Sequence, residues 1–319
     1  MYPLKLDPAF KDYLWGGTRL RDDFGKKCDY DKVAESWELS CHKDGNSVIA
    51  NGEYAGKTLA EYIERCGKTV LGTNCARFEQ FPILIKLIDA KDNLSVQVHP
   101  DNEYAQRVEG EYGKTEMWYI VDCDEGAELL YGFKHDITKE EFKTRIENNT
   151  LLEVTNSVPV KSGDVFFIEA GTLHAIGKGI LIAEIQQNSN TTYRIYDYGR
   201  VGADGKPRQL HIDKAVDVTN LCPAKPYPVT KYFTENGAVK RLLAKSDYFT
   251  VYTVDASEKA LFEADETSFH SILLLEGSAV LDCGGEKLSL KKGDSVFVPA
   301  GCGEYSLTGS FNSIFTRID

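Results

Sequence analysis

The chain has no Cys-x-x-Cys pair, no apolar run long enough to span a bilayer, and no excess of positive charge. Each absence excludes something. Its eight cysteines are scattered, so they form neither a zinc-finger cluster nor a dithiol motif; without a signal segment they read as reduced thiols. Residues 1–17 carry Lys5, Asp7, Lys11 and Asp12 where a secretory signal needs an apolar core. A cytoplasmic protein is therefore expected, with no membrane partner. A formal net charge of −12 argues against a nucleic-acid partner. An anionic small molecule stays admissible if its site supplies local cations. With 42% hydrophobic residues over 319 positions, the chain is long and apolar enough for a large core or two domains.

Most of the chain reads as short strands between Gly- and Asp-rich turns. Examples are 81–88, 164–168, 181–186 and 249–254. Thr58-Leu59-Ala60-Glu61 and Thr138-Lys139-Glu140-Glu141 predict capped helices, and a third short helix is expected from Asp213. An internal repeat orders the rest. Residues 161–171 (KSGDVFFIEAG) return as 291–301 (KKGDSVFVPAG) at a constant offset of 130. Two related β units follow, joined through the proline-rich segment 223–228. We expect a catalytic unit over 1–225 and a second unit over 226–319. The second unit has only His270 and no Gln-x-His, and Glu304 falls where the repeat would place His174. It is read as a copy without a metal site.

The chemistry concentrates in Ser95-Val96-Gln97-Val98-His99. In an extended strand Ser95, Gln97 and His99 share a face, with the valines opposite. Glu116, in a second strand-like run, and His174, just beyond the first copy of the repeat, offer a carboxylate and another imidazole. An amide oxygen, two imidazoles and a carboxylate suit Zn²⁺ or another borderline divalent metal. Other residues read two ways on sequence alone. Lys86 is a lone cation in an apolar strand, suited to an anion in a barrel lumen or to a strand edge. Arg194 fits a site or a surface pair with Asp197. Lys114 fits a pocket or a solvated loop, and Glu184 a site or a structural strand. His42, His135 and His270 are given no role, and Trp15, Trp37 and Trp118 are read as core.

The duplicated Gly-Asp…Ala-Gly pattern resembles the cupin jelly roll. The ordered set SVQVHPD (95–101), KTEMW (114–118), GTLHA (171–175) and TYRIYD (192–197) resembles type I mannose-6-phosphate isomerases of the short bacterial form. WGG (15–17), AESWELS (34–40) and RQLHIDKA (208–215) fit the same set. The resemblance covers most of the first 220 residues. It implies a mainly β fold of two cupin-type jelly-roll barrels, with small helical insertions in the first. It implies an aldose–ketose isomerase that interconverts mannose 6-phosphate and fructose 6-phosphate with one Zn²⁺ per chain. Gln97, His99, Glu116 and His174 would be the metal ligands. Arg194, Lys114 and Glu184 would be catalytic, and Lys86 and Ser95 would bind the sugar phosphate. One position departs: the family usually has Ser-Asp ahead of Thr-Tyr-Arg, and here Asn190 follows Ser189. A cupin oxygenase and a non-catalytic sugar-binding protein are the competing functions, and no oligomeric state is readable.

Overall fold

A computed structural model describes residues 1–201, 205–228 and 230–319. Part of the turn-rich stretch 199–208 (residues 202–204) lies outside the described residues. The protein is mainly β, as the cupin reading requires. A six-stranded sheet runs in the order Val165–Ile168, Glu116–Cys123, Ile180–Gln187, Ile83–Ala90, Glu35–Leu39, Ala9–Lys11. Facing it is a five-stranded sheet ordered Thr155–Pro159, Glu128–Phe133, His174–Ala175, Val96–Val98, Tyr193–Tyr196. A ten-stranded sheet holds the C-terminal strands. It also takes in Leu4–Asp7, which pairs with Ser295–Val298, so the N-terminus crosses into the sheet of the second unit.

Alternation along the strands decides what meets what. In Ile83–Ala90, Ile83, Ile85 and Leu87 turn outward. They meet Phe249, Val251, Phe269, Leu273 and Phe297 of the ten-stranded sheet in one apolar core. Lys86 and Ile88 turn the other way, into the space between the six- and five-stranded sheets. Val96 and Val98 likewise face outward, under a cover that includes Phe142 and Ile146 of helix Lys139–Glu147 and Ala215 of helix Ile212–Val218. That leaves Gln97 between them facing inward. Thr58 caps helix Leu59–Cys66 with the expected reciprocal box, and Thr138 accepts from Glu141 N. Helix Asn102–Val108, capped by Asp101, was not expected, because the 95–101 run reads first as strand and metal motif.

Two of the histidines given no role are buried. His42 packs edge-on against Trp37, and His270 lies in the core of the second unit.

Candidate metal centre and active site

Local structure brings His99, Glu116 and His174 together. His174 stands opposite Gln97 in the antiparallel pair, and Arg194 stands opposite Gln97 on its other side. Glu116 comes from the facing sheet. One coordinating atom from each of His99, Glu116 and His174 falls within 4.8 Å of the others, and all three side chains are buried. His174 Nε2 lies 3.3 Å from Glu116 Oε1, and His99 Nε2 lies 3.6 Å from Glu116 Oε2. Gln97 completes the group, its amide nitrogen 3.3 Å from His174 Nε2.

These residues fit a metal. His99 Nδ1–H donates to the Thr191 carbonyl at 2.9 Å, and His174 Nδ1–H to the Thr172 carbonyl at 2.8 Å. That fixes both tautomers with Nε2 lone pairs turned toward Glu116, as metal-ligating histidines require. Glu116 Oε1 is buried without a hydrogen-bond donor among the described residues, and Oε2 meets Lys114. Burial and the Lys114 charge lower His99 to about 4, and burial lowers His174, so both are neutral at pH 7. Burial alone would raise the Glu116 carboxyl. The Lys114 charge, with the neighbouring His99, outweighs it and holds Glu116 well below the usual carboxylate range. Lys114 Nζ lies 2.8 Å from Glu116 Oε2 and 3.1 Å from His99 Nε2, a positive charge against the donor set.

Lys114 reaches this place through a tight loop. Its N–H donates to the Pro100 carbonyl at 3.0 Å. A Cβ on Gly113 would stand 2.4 Å from the Asp101 carbonyl carbon, so only glycine lets the loop close.

A second row crosses the six-stranded sheet. Trp37 faces Lys86, Lys86 faces Glu184, and Glu184 faces Trp118, each in register on adjacent strands. Lys86 Nζ lies 3.1 Å from Glu184 Oε1 and 3.6 Å from Glu35 Oε2. Burial disfavours the Lys86 charge, but the two carboxylates outweigh burial and raise its pKa. The tryptophans hold the carboxylates: Trp118 Nε1–H donates to Glu184 Oε2 at 3.0 Å, and Trp37 Nε1–H to Glu35 Oε2 at 2.7 Å. They are core residues, as expected, with a polar task that composition does not disclose.

Above these rows lies a cavity of about 260 Å³. Lys86, Ser95, Gln97, Lys114, Glu184 and Arg194 all line it, and His99, Glu116 and His174 cluster beside Gln97 and Lys114. All nine residues singled out in the sequence thus gather at one place. Arg194 does not pair with Asp197; its Nη1 donates to the Gln209 carbonyl, and its buried Nε has no partner among the described residues. Asp197 instead receives Arg208 at 2.6 Å and Arg200. His211 buttresses Arg194 from behind, its Nδ1 accepting from the Arg194 N–H at 3.1 Å.

Sequence reasoning missed Tyr13, Glu35, Asn190 and Arg208, which also line the cavity; Trp15, core as expected, lines it too. Arg208 lies inside a quoted motif but carried no role. Trp15 comes over the site because Gly16 packs on Ala34, where a Cβ would approach the Ala34 backbone to 2.7 Å.

The chain matches the model of the phosphomannose isomerase type I catalytic domain over residues 3–132. It matches that of the mannose-6-phosphate isomerase cupin domain over 239–318. Mannose-6-phosphate isomerase ManA of Bacillus subtilis (strain 168) is 41% identical over 318 residues, 99% of either chain. The chain belongs to the mannose-6-phosphate isomerase family. A crystal structure of the mannose 6-phosphate isomerase from Bacillus subtilis superposes with a TM-score of 0.93 at 38% identity, covering 100% of both chains. A zinc-bound mannose 6-phosphate isomerase, 18% identical, shares the fold at a TM-score of 0.80 over the full length of both. The family is enzymatic, and the buried His–Glu–His group fits metal use by this enzyme. No helix among the described residues is long and apolar enough to cross a membrane.

Proposed function

We propose that this enzyme interconverts D-mannose 6-phosphate and D-fructose 6-phosphate in the cytoplasm. Residues 1–225 carry the chemistry, and residues 226–319 carry no metal site. Gln97, turned to present its amide oxygen, would hold one Zn²⁺ together with His99, Glu116 and His174. When bound, the metal supplies a Lewis acid for the sugar oxygens that become negative as a proton moves between C1 and C2 through an enediol-like state. The observation that carries this reading is the buried donor set with its fixed tautomers, opening onto a cavity lined by four cations.

The chain's own residues divide the remaining work. Glu184, a cavity-lining carboxylate whose Oε1 lies between Lys86 and Lys114, moves the proton. Lys86 and Trp118 hold it in place. Lys114, between Glu116 and Glu184, stabilises negative charge at the reacting carbons. Arg194 and Arg208 receive the phosphate, since Asp197 neutralises only part of the local charge of three arginines. Ser95 and Lys86 bind the sugar end, where Lys86 already meets two carboxylates.

The test is a coupled isomerase assay on mannose 6-phosphate, run as purified, after chelation and after zinc is restored, beside His174→Ala. Activity that falls on chelation, returns with zinc and is absent in the variant is the expected result. A zinc-loaded protein that leaves both sugar phosphates unchanged refutes the reading.

A further inference from the structure

The second unit repeats the strand order of the six-stranded sheet of the first, and the register reveals what stands in place of the active site. In the first unit Glu116 stands opposite Ile168 and Gln186, Trp118 opposite Phe166 and Glu184, and Glu184 opposite Lys86. In the second, His270 stands opposite Val298 and Arg317, Ile272 opposite Val296 and Phe315, and Phe315 opposite Tyr252. Ile168 and Phe166 become Val298 and Val296 at the 130-residue offset of the repeat. His270 therefore occupies the place of Glu116, Arg317 that of Gln186, Phe315 that of Glu184 and Tyr252 that of Lys86. The metal carboxylate and the cavity carboxylate are both gone, and a guanidinium has been added.

The space did not close when the carboxylates were lost. A cavity of about 310 Å³ remains, as large as the active-site cavity, lined by Lys240, Tyr252, Phe262, His270, Phe315 and Arg317. Its wall is aromatic: Phe262 and Phe315 stack at 5.6 Å and 16°, and His270 packs on Phe315 at 4.7 Å. His270 is 5% exposed, and its Nδ1 is engaged by the Tyr305 hydroxyl at 2.8 Å. No described residue hydrogen-bonds its Nε2, a polar atom on a nearly buried side chain lining the cavity. Lys240 Nζ lies 5.4 Å over the Phe262 ring and is held by the rim residue Glu235 at 2.6 Å. Arg317 Nε lies 2.8 Å from Asp319 Oδ1, and Glu263 also stands on the lining. A unit kept only for packing gains nothing from an imidazole nitrogen left without a protein partner among the described residues, beside two ion-paired cations, around a hollow.

We propose that the second unit binds a phosphorylated sugar in this cavity, apart from the active site and without turnover. The phosphate meets Lys240, which leaves Glu235, and Arg317. A hydroxyl meets His270 Nε2, and the C–H face of the sugar lies on Phe262 and Phe315. The ligand class rests on the sugar-phosphate reading of the first unit, which the duplication carries over. The hollow, its cations and its aromatic wall stand independently of that reading.

The experiment is equilibrium dialysis of the full-length, zinc-loaded protein against radiolabelled fructose 6-phosphate, with turnover of mannose 6-phosphate measured in parallel. Wild type is expected to hold two equivalents per chain. Lys240→Met/Arg317→Gln is expected to hold one, with turnover within about twofold of wild type. Leu261→Trp blocks the mouth from a position that is 50% exposed, so it spares the fold, and it too should hold one equivalent. One equivalent in wild type that turns over normally overturns this proposal alone. Two equivalents in both variants also overturn it, as does displacement of the second equivalent by unphosphorylated fructose as readily as by fructose 6-phosphate. Two equivalents without turnover, falling to one in both variants, leave this site standing and overturn the isomerase reading instead.

Discussion

Lys86 Nζ lies 3.1 Å from Glu184 Oε1, and each side chain is only 4% exposed. The pair is set by register: the two residues face each other on neighbouring strands in the centre of a sheet. Buried ion pairs of this kind are expensive to break on one side, because the survivor keeps its charge in a low-dielectric interior.

Removing only the charge of Glu184 tests that cost. Glu184→Gln leaves Lys86 with Glu35 alone and is expected to destabilise the fold by about 3 kcal/mol. Adding Lys86→Met should restore most of the loss. Urea denaturation at constant m-value reads both. A single variant with the wild-type midpoint would show that the pair does not hold the sheet.

Metal retention is expected to depend on His174. After exhaustive dialysis, the wild type should keep about one zinc per chain by elemental analysis. His174→Ala should lose it. Free zinc at a hundred times its Kd should stabilise the wild type by about 2.7 kcal/mol and leave the variant's melting temperature unmoved. Equal zinc content in the two proteins would place the metal elsewhere.

Acid should weaken the second unit through His270. Burial, with Arg317 beside it, lowers this imidazole to about 3, against about 6.5 in the unfolded chain. A lowered folded-state value means that the unfolded chain binds more protons between these limits. The contribution is therefore complete above pH 6.5 and is lost as pH falls toward 3. At pH 4 about 3 kcal/mol is gone. His270→Gln should unfold with a visibly shallower loss of stability between pH 6.5 and 4; parallel curves for variant and wild type would remove His270 as the cause.

Arg208 touches Asp197 and lines the cavity. Arg208→Ala should raise KM for mannose 6-phosphate about tenfold or more, the worth of a charge-assisted hydrogen bond, with kcat changed far less. Steady-state kinetics decides it: a fall in kcat at constant KM would move Arg208 from phosphate binding to the chemical step.

How much of this was legible varied with the range of the contact involved. Gln97 and His99 could be paired from sequence because a strand alternates faces whatever lies around it. The Thr58 cap and the 130-residue repeat are equally local or periodic, and both appear as expected. Glu35 and the clamp of Asp197 on Arg208 gave no such signal. Both depend on distant segments meeting, through strand pairing for Glu35 and loop return for Arg208. His270 likewise gives no signal in sequence, since the groups that surround it, Tyr305 and Phe315, come from a strand more than thirty residues away.

By itself, then, the sequence determined the strand-rich class, the duplication and the donor types able to hold a metal, because alternation, capping and repetition act within a few residues or copy themselves. Tertiary structure alone decided which carboxylate faces Lys86, where Lys114 points, and that the second unit keeps a hollow. Register between strands is a long-range choice, made by whole apolar faces packing against one another, and no local run of residues encodes it.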